Sequence, residues 1–76
     1  MDKNSKITVD EIFNLALKNH QENKIEDAQG LYNQVLKINP MHQSALNNLG
    51  TIFQNSNDYI KALNYFEKAI EINPGL

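Results

Sequence analysis

Residues 9–42 and 43–76 align with each other at an offset of 34 positions, and this internal repeat limits the possible folds more than any other feature. Ile38-Asn39-Pro40 falls on Ile72-Asn73-Pro74, Asn14-Leu15 on Asn48-Leu49, Asn23 on Asn57 and Ala28 on Ala62. Where the pairs differ they keep size or character: Ile12 meets Leu46, Ala16 meets Gly50 and Tyr32 meets Phe66. A unit of this length cannot bury its apolar face alone. It does so by stacking on a copy of itself.

Each unit reads as two amphipathic helices. In the second, Leu46, Leu49, Gly50 and Phe53 recur at i, i+3, i+4 and i+7, one helical face. Asn55-Ser56-Asn57-Asp58 interrupts that pattern with turn residues. Ala62, Phe66, Ala69 and Ile70 resume it until Pro74, which disfavours helix in the residue before it. In the first unit Thr8-x-x-Glu11 is a capping box. Asn23 breaks the chain, Ala28, Leu31, Tyr32, Val35 and Leu36 line the second helix, and Pro40 closes the pair. Helices are therefore expected at about 9–22, 25–38, 43–55 and 59–72, with ends uncertain by about two to four residues. Ala16 and Gly50 are expected where the two helices of a hairpin cross, facing Ala28 and Ala62, with Tyr32, Phe53 and Phe66 filling the space beside them. Gly30 falls inside a helix, where it costs roughly 1 kcal/mol relative to Ala, and nothing in the sequence accounts for it.

Composition excludes several functions. The chain has 76 residues, no cysteine and no arginine, and its seven lysines against nine acids give a net charge of −2. Such a balance offers no basic face to displace phosphate counterions, so no nucleic-acid partner is expected. No apolar run approaches the ~18 residues that a membrane crossing needs. The polar stretch from Met1 to Lys6 lacks the apolar core of a secretion signal. Residues 1–8 are read as a flexible arm and the chain as cytoplasmic. Gly30, Gly50 and Gly75 are isolated and make no phosphate loop, and no catalytic or metal-binding motif is present. His20 and His42 read as surface or loop histidines. Glu22, Glu26 and Asp27 sit where acids complement a helix start, and Lys61, Glu67, Lys68 and Glu71 read as a solvated, mutually paired face. No catalytic residue, cofactor or metal is expected.

The pattern resembles the tetratricopeptide repeat (TPR) family. The second unit carries that family's large, small, aromatic and proline signature in full, at Leu46, Leu49, Gly50, Phe53, Ala62, Phe66, Ala69 and Pro74. The first carries it at Ile12, Leu15, Ala16, Ala28, Tyr32 and Pro40, and departs at Asn19, where an aromatic is expected, and at Val35, where Ala is expected. The resemblance covers residues 9–76. It implies an all-α fold, a right-handed α-α superhelix of two antiparallel helix hairpins, with repeats at 9–42 and 43–76. It also implies a protein–protein interaction scaffold, whose concave groove, lined by the first helix of each pair, holds a segment of a partner.

On those inner helices a second stripe runs beside the core stripe. In the first unit it holds Asp10, Phe13, Asn14, Leu17, His20 and Gln21, and in the second Ser44, Asn47, Asn48, Thr51, Gln54 and Asn55. Asn14 and Asn48 share a repeat position, and a carboxamide can both donate to and accept from a peptide main chain. This resembles the asparagine ladder in the TPR arm of O-GlcNAc transferases, although a polar stripe also serves as plain solvated surface. Phe13 and Leu17 are expected to add an exposed apolar spot, unless the N-terminal arm or a neighbouring subunit covers Phe13. The carboxylate clamp of Lys, Arg and Asn with which some TPR proteins grip chaperone tails is missing, since its positions hold Asp10, Phe13, Ser44 and Asn47, with no Lys.

Repeat stacks usually need about three units and a polar end cap, and this sequence has two. The last helix is expected to expose Tyr59, Leu63, Tyr65 or Ile70. Two explanations stay open: a longer repeat array or a larger enzyme, such as a glycosyltransferase, for which this chain is the targeting arm, or self-association through the uncapped C-terminal helix.

Overall fold

The computed structural model describes residues 7–74. Most of the expected N-terminal arm, residues 1–6, and the last two residues of the second unit lie outside that range. Four α-helices follow in order: α1 (Val9–Gln21), α2 (Ile25–Ile38), α3 (Gln43–Asn55) and α4 (Tyr59–Ile72). Among the described residues there is no strand. The expected helices are all present, with α1 ending one residue earlier than anticipated because Glu22 is its C-cap.

Local chemistry sets each boundary. The Glu11 N–H donates to Thr8 Oγ1 at 3.1 Å and the Thr8 N–H donates to Glu11 Oε1 at 2.9 Å, the reciprocal pair of a capping box. α1 and α3 end in the same turn. Asn23 and Asn57 adopt φ of 63° and 66°, a left-handed conformation that Asn tolerates better than most residues. The Lys24 N–H then reaches back to the Asn19 carbonyl and the Asp58 N–H to the Phe53 carbonyl, each at 2.8 Å. These six-to-one bonds satisfy carbonyls that the helix end would otherwise leave unpaired. That need explains why the repeat keeps Asn at both positions. α3 begins on His42, whose Nδ1 accepts the Ala45 N–H at 3.1 Å.

The helices stack in chain order: α1 packs on α2, α2 on α3 and α3 on α4. One apolar cluster joins both hairpins, with Ala16, Ala28, Tyr32 and Val35 from the first and Ala45, Leu49 and Ile52 from the second. Small residues let the backbones approach. Ala16 and Ala28 are fully buried, and a Cβ at Gly50 would stand 2.6 Å from the Phe66 ring. One further tie escaped the sequence reading: Gln43 Nε2 donates to the Ala69 carbonyl at 2.9 Å, fastening the start of α3 to the end of α4.

Three expectations are revised. Leu15 is 49% exposed although its counterpart Leu49 is fully buried. The face of α3 bearing Ala45, Leu49 and Ile52 packs on the preceding hairpin, whereas among the described residues no helix precedes α1; there the same face carries Glu11, Leu15 and Lys18. Tyr65 is half-buried, its ring stacked on Phe53 at 5.6 Å between centroids. Lys61 and Lys68 do not pair with Glu67 and Glu71; their ammonium groups lie over the Phe53 and Tyr65 rings at 5.2 and 5.8 Å.

The two helical glycines therefore differ. Around Gly30 nothing stands within 4 Å of an added Cβ. Gly30→Ala is expected to raise stability by about 0.5–1 kcal/mol through helix propensity. Gly50→Val must displace Phe66 and is expected to cost about 1–3 kcal/mol. Urea denaturation of both variants checks the pair.

Candidate functional site

The stripe beside the core on α1 and α3 is mostly accessible. Asp10, Asn14, Gln21, Ser44, Asn47, Gln54 and Asn55 are exposed, and Phe13, Leu17, His20, Asn48 and Thr51 are half-buried. Phe13 is thus not the open apolar spot that the sequence suggested. Its ring lies 4.7 Å from the His42 ring and 5.9 Å from that of Tyr32, centroid to centroid, so only part of it meets solvent.

Tyr32 of α2 forms the floor between the two inner helices. Its side chain is fully buried, and its hydroxyl lies 3.0 Å from His20 Nδ1 on α1. Burial pushes the phenol above its ordinary value, partly offset by a hydrogen bond from the Asn48 side chain on α3. The direction of the bond between the hydroxyl and His20 Nδ1 follows the imidazole tautomer. A buried hydroxyl is costly unless it is paired, and here the pairing spans both hairpins.

This network makes the two repeat-equivalent asparagines unequal. The Asn48 amide is partly engaged with Tyr32, while among the described residues nothing pairs with the Asn14 amide. Thr51 is also used internally, its hydroxyl donating to the Asn47 carbonyl at 3.1 Å. At the far end, His20 and Asn55 meet across a hollow of about 270 Å³, together with Asn23, Ile25, Ile52 and Ser56. The sequence reading missed the roles of Tyr32, His20 and His42. One signal was available: the first unit has Tyr where the second has Phe66, and an added hydroxyl at a core position calls for a partner.

The family model for the tetratricopeptide repeat matches residues 44–76, the second hairpin, and the four helices fit two hairpins of that kind. Residues 44–76 are thus similar to a tetratricopeptide repeat, and the all-α arrangement of four helices is that of two such hairpins. TPR arrays serve in general as protein–protein interaction modules and are generally non-catalytic scaffolds, so the partners expected of a TPR chain are proteins. No helix among the described residues is long and apolar enough to cross a membrane. The departure from the family pattern at Asn19 has a local account: its Nδ2 donates to the Leu15 carbonyl at 2.9 Å, on a helix that no other helix precedes among the described residues. Val35, the other departure, is fully buried between the hairpins.

Tyr32→Phe removes the hydroxyl and leaves His20 and Asn48 without it. The expected loss at neutral pH is about 1 kcal/mol. Because the folded-state pKa of Tyr32 is raised, its contribution is intact below the unfolded value of about 10 and is lost as pH rises beyond it. Urea midpoints measured from about pH 8 to about pH 11 are expected to fall more steeply for the wild type than for Tyr32→Phe.

Proposed function

We propose that this chain is a peptide-binding scaffold, and that an extended segment of a protein partner lies in the groove formed by α1 and α3. One observation carries the reading: among the described residues, the side-chain amides of Asn14 and Asn47 on the inner helices have no partner, and they lie beside the half-buried Phe13 and Leu17. An open carboxamide row suits a main chain, which offers a donor and an acceptor at nearly every residue. The neighbouring apolar pair suits a single anchoring side chain. Asp10, Asn14, Gln21, Ser44, Asn47 and Asn55 are the accessible contacts in this reading, and Phe13, Leu17, Asn48 and Thr51 form the floor. The division into an arm over 1–8 and repeats over 9–42 and 43–76 is the organisation that goes with it.

The same stripe argues against acidic C-terminal tails. Asp10 at the mouth would repel a terminal carboxylate, and no lysine lies on the stripe to offset it. Groove recognition therefore rests on main-chain hydrogen bonds and one apolar anchor, with little dependence on salt.

Selection from a random-peptide display library, followed by fluorescence anisotropy, tests this. Asn14→Ala is expected to change stability by less than about 0.5 kcal/mol and to weaken selected peptides about five- to tenfold. Nuclear magnetic resonance should show bound-state shifts at Asn14, Asn47 and Phe13. Shifts confined to α2 and α4, or equal affinity for Asn14→Ala, would reject the groove. Calorimetry with a peptide ending in acidic residues is expected to show no micromolar binding.

A further inference from the structure

Shifted by one repeat, Tyr59, Leu63, Phe66 and Ile70 of α4 correspond to Ile25, Gln29, Tyr32 and Leu36 of α2. In α2 all four are buried or half-buried, and Ile25, Tyr32 and Leu36 belong to or pack on the cluster that α3 completes. In α4 no helix occupies that side among the described residues: Tyr59 is 62% exposed, Leu63 56% and Ile70 58%, with Phe66 half-buried between them. The stripe is also more apolar than its covered counterpart. Leu63 stands where α2 has Gln29, and Ile60, 77% exposed on its rim, stands where α2 has Glu26. A solvated end would show the opposite trend.

We infer that α4 pairs with α4 of a second copy of this chain, antiparallel and about a two-fold axis passing between Leu63 and Phe66. The stripe is self-complementary under that operation. Tyr59 meets Ile70 of the second copy and Leu63 meets its Phe66, so each contact sets an aromatic or long aliphatic side chain against an aliphatic or aromatic one. Lys61 and Lys68 are held on another side of α4, over Phe53 and Tyr65, so the pairing buries no ammonium group. Two such faces amount to on the order of 1,000 Å², the lower edge of a specific interface, so the dimer is weak.

The other way to cover α4 with a second copy, by stacking its α1 head to tail, is disfavoured by the residues themselves. It would place Glu11 and Lys18 where Ala45 and Ile52 are buried, and it would continue without closing. The two-fold arrangement closes at two copies and leaves α1 free in both. This inference stands apart from the groove, because it uses α4 and its readout is a mass.

Sedimentation equilibrium from about 5 μM to about 1 mM tests it. The expected result is a reversible equilibrium between the 8.7 kDa monomer and its dimer. Leu63→Glu and Ile70→Glu are each expected to weaken it at least tenfold, with unchanged helical circular dichroism, since both side chains already face solvent. Leu15→Glu is expected to leave it unchanged. A chain that stays monomeric throughout, as it would if α4 waits for a helix of a different protein, overturns the inference. So do species that grow past the dimer and vanish with Leu15→Glu.

Discussion

The seam between α2 and α3 decides whether there is one structure or two loose hairpins. Ala16, Tyr32 and Val35 on one side meet Ala45, Leu49 and Ile52 on the other, and all of them are buried. A 76-residue chain without cysteine has no covalent staple to substitute for that contact. Each hairpin alone would expose about half of this cluster, and apolar burial at roughly 25 cal/mol per Å² is the main term opposing the entropy of the chain. The seam also places α1 and α3 on a common side, so the groove exists only because the hairpins have docked.

The seam accounts for the unequal use of equivalent positions. Among the described helices, α3 is covered on two sides, by α2 and by α4, whereas α1 and α4 are each covered on one. The residue types follow that difference at one end. The outer face of α1 carries Glu11 and Lys18 around a single exposed Leu15, while the corresponding face of α3 carries Ala45, Leu49 and Ile52. The outer face of α4 carries Tyr59, Leu63, Phe66 and Ile70, with Glu67 only at its edge. Among the described residues, the outer face of the first helix is thus polar and that of the last apolar.

Most of the fold was legible because its determinants are short-range. The capping box at Thr8 and Glu11, the asparagines at the left-handed turns and the prolines after α2 and α4 each act within a few residues. The i, i+3, i+4 spacing then shows which face turns inward. The environment of Leu15 was not legible from its own pattern, since its exposure depends on whether another helix lies beside it. The site was read less well than the fold. Periodicity placed Asn14 and Asn48 on one stripe, but the link from Asn48 through Tyr32 to His20 joins three helices and has no periodic signature. His42 was read as a loop residue because capping by imidazole is uncommon beside capping by Ser, Thr, Asp or Asn.

The hydroxyl of Tyr32 has a consequence for the shape of the groove. A seam made only of Ala, Leu, Val and Ile has no directional contact, and neighbouring registers that bury the same area differ little in energy. One buried hydroxyl that must reach both His20 and Asn48 singles out a register, because a shift of a helical turn would strand it without partners. Such a contact favours one docking register of the two hairpins. In the proposed peptide complex, the walls would then need no preorganisation at the expense of binding energy.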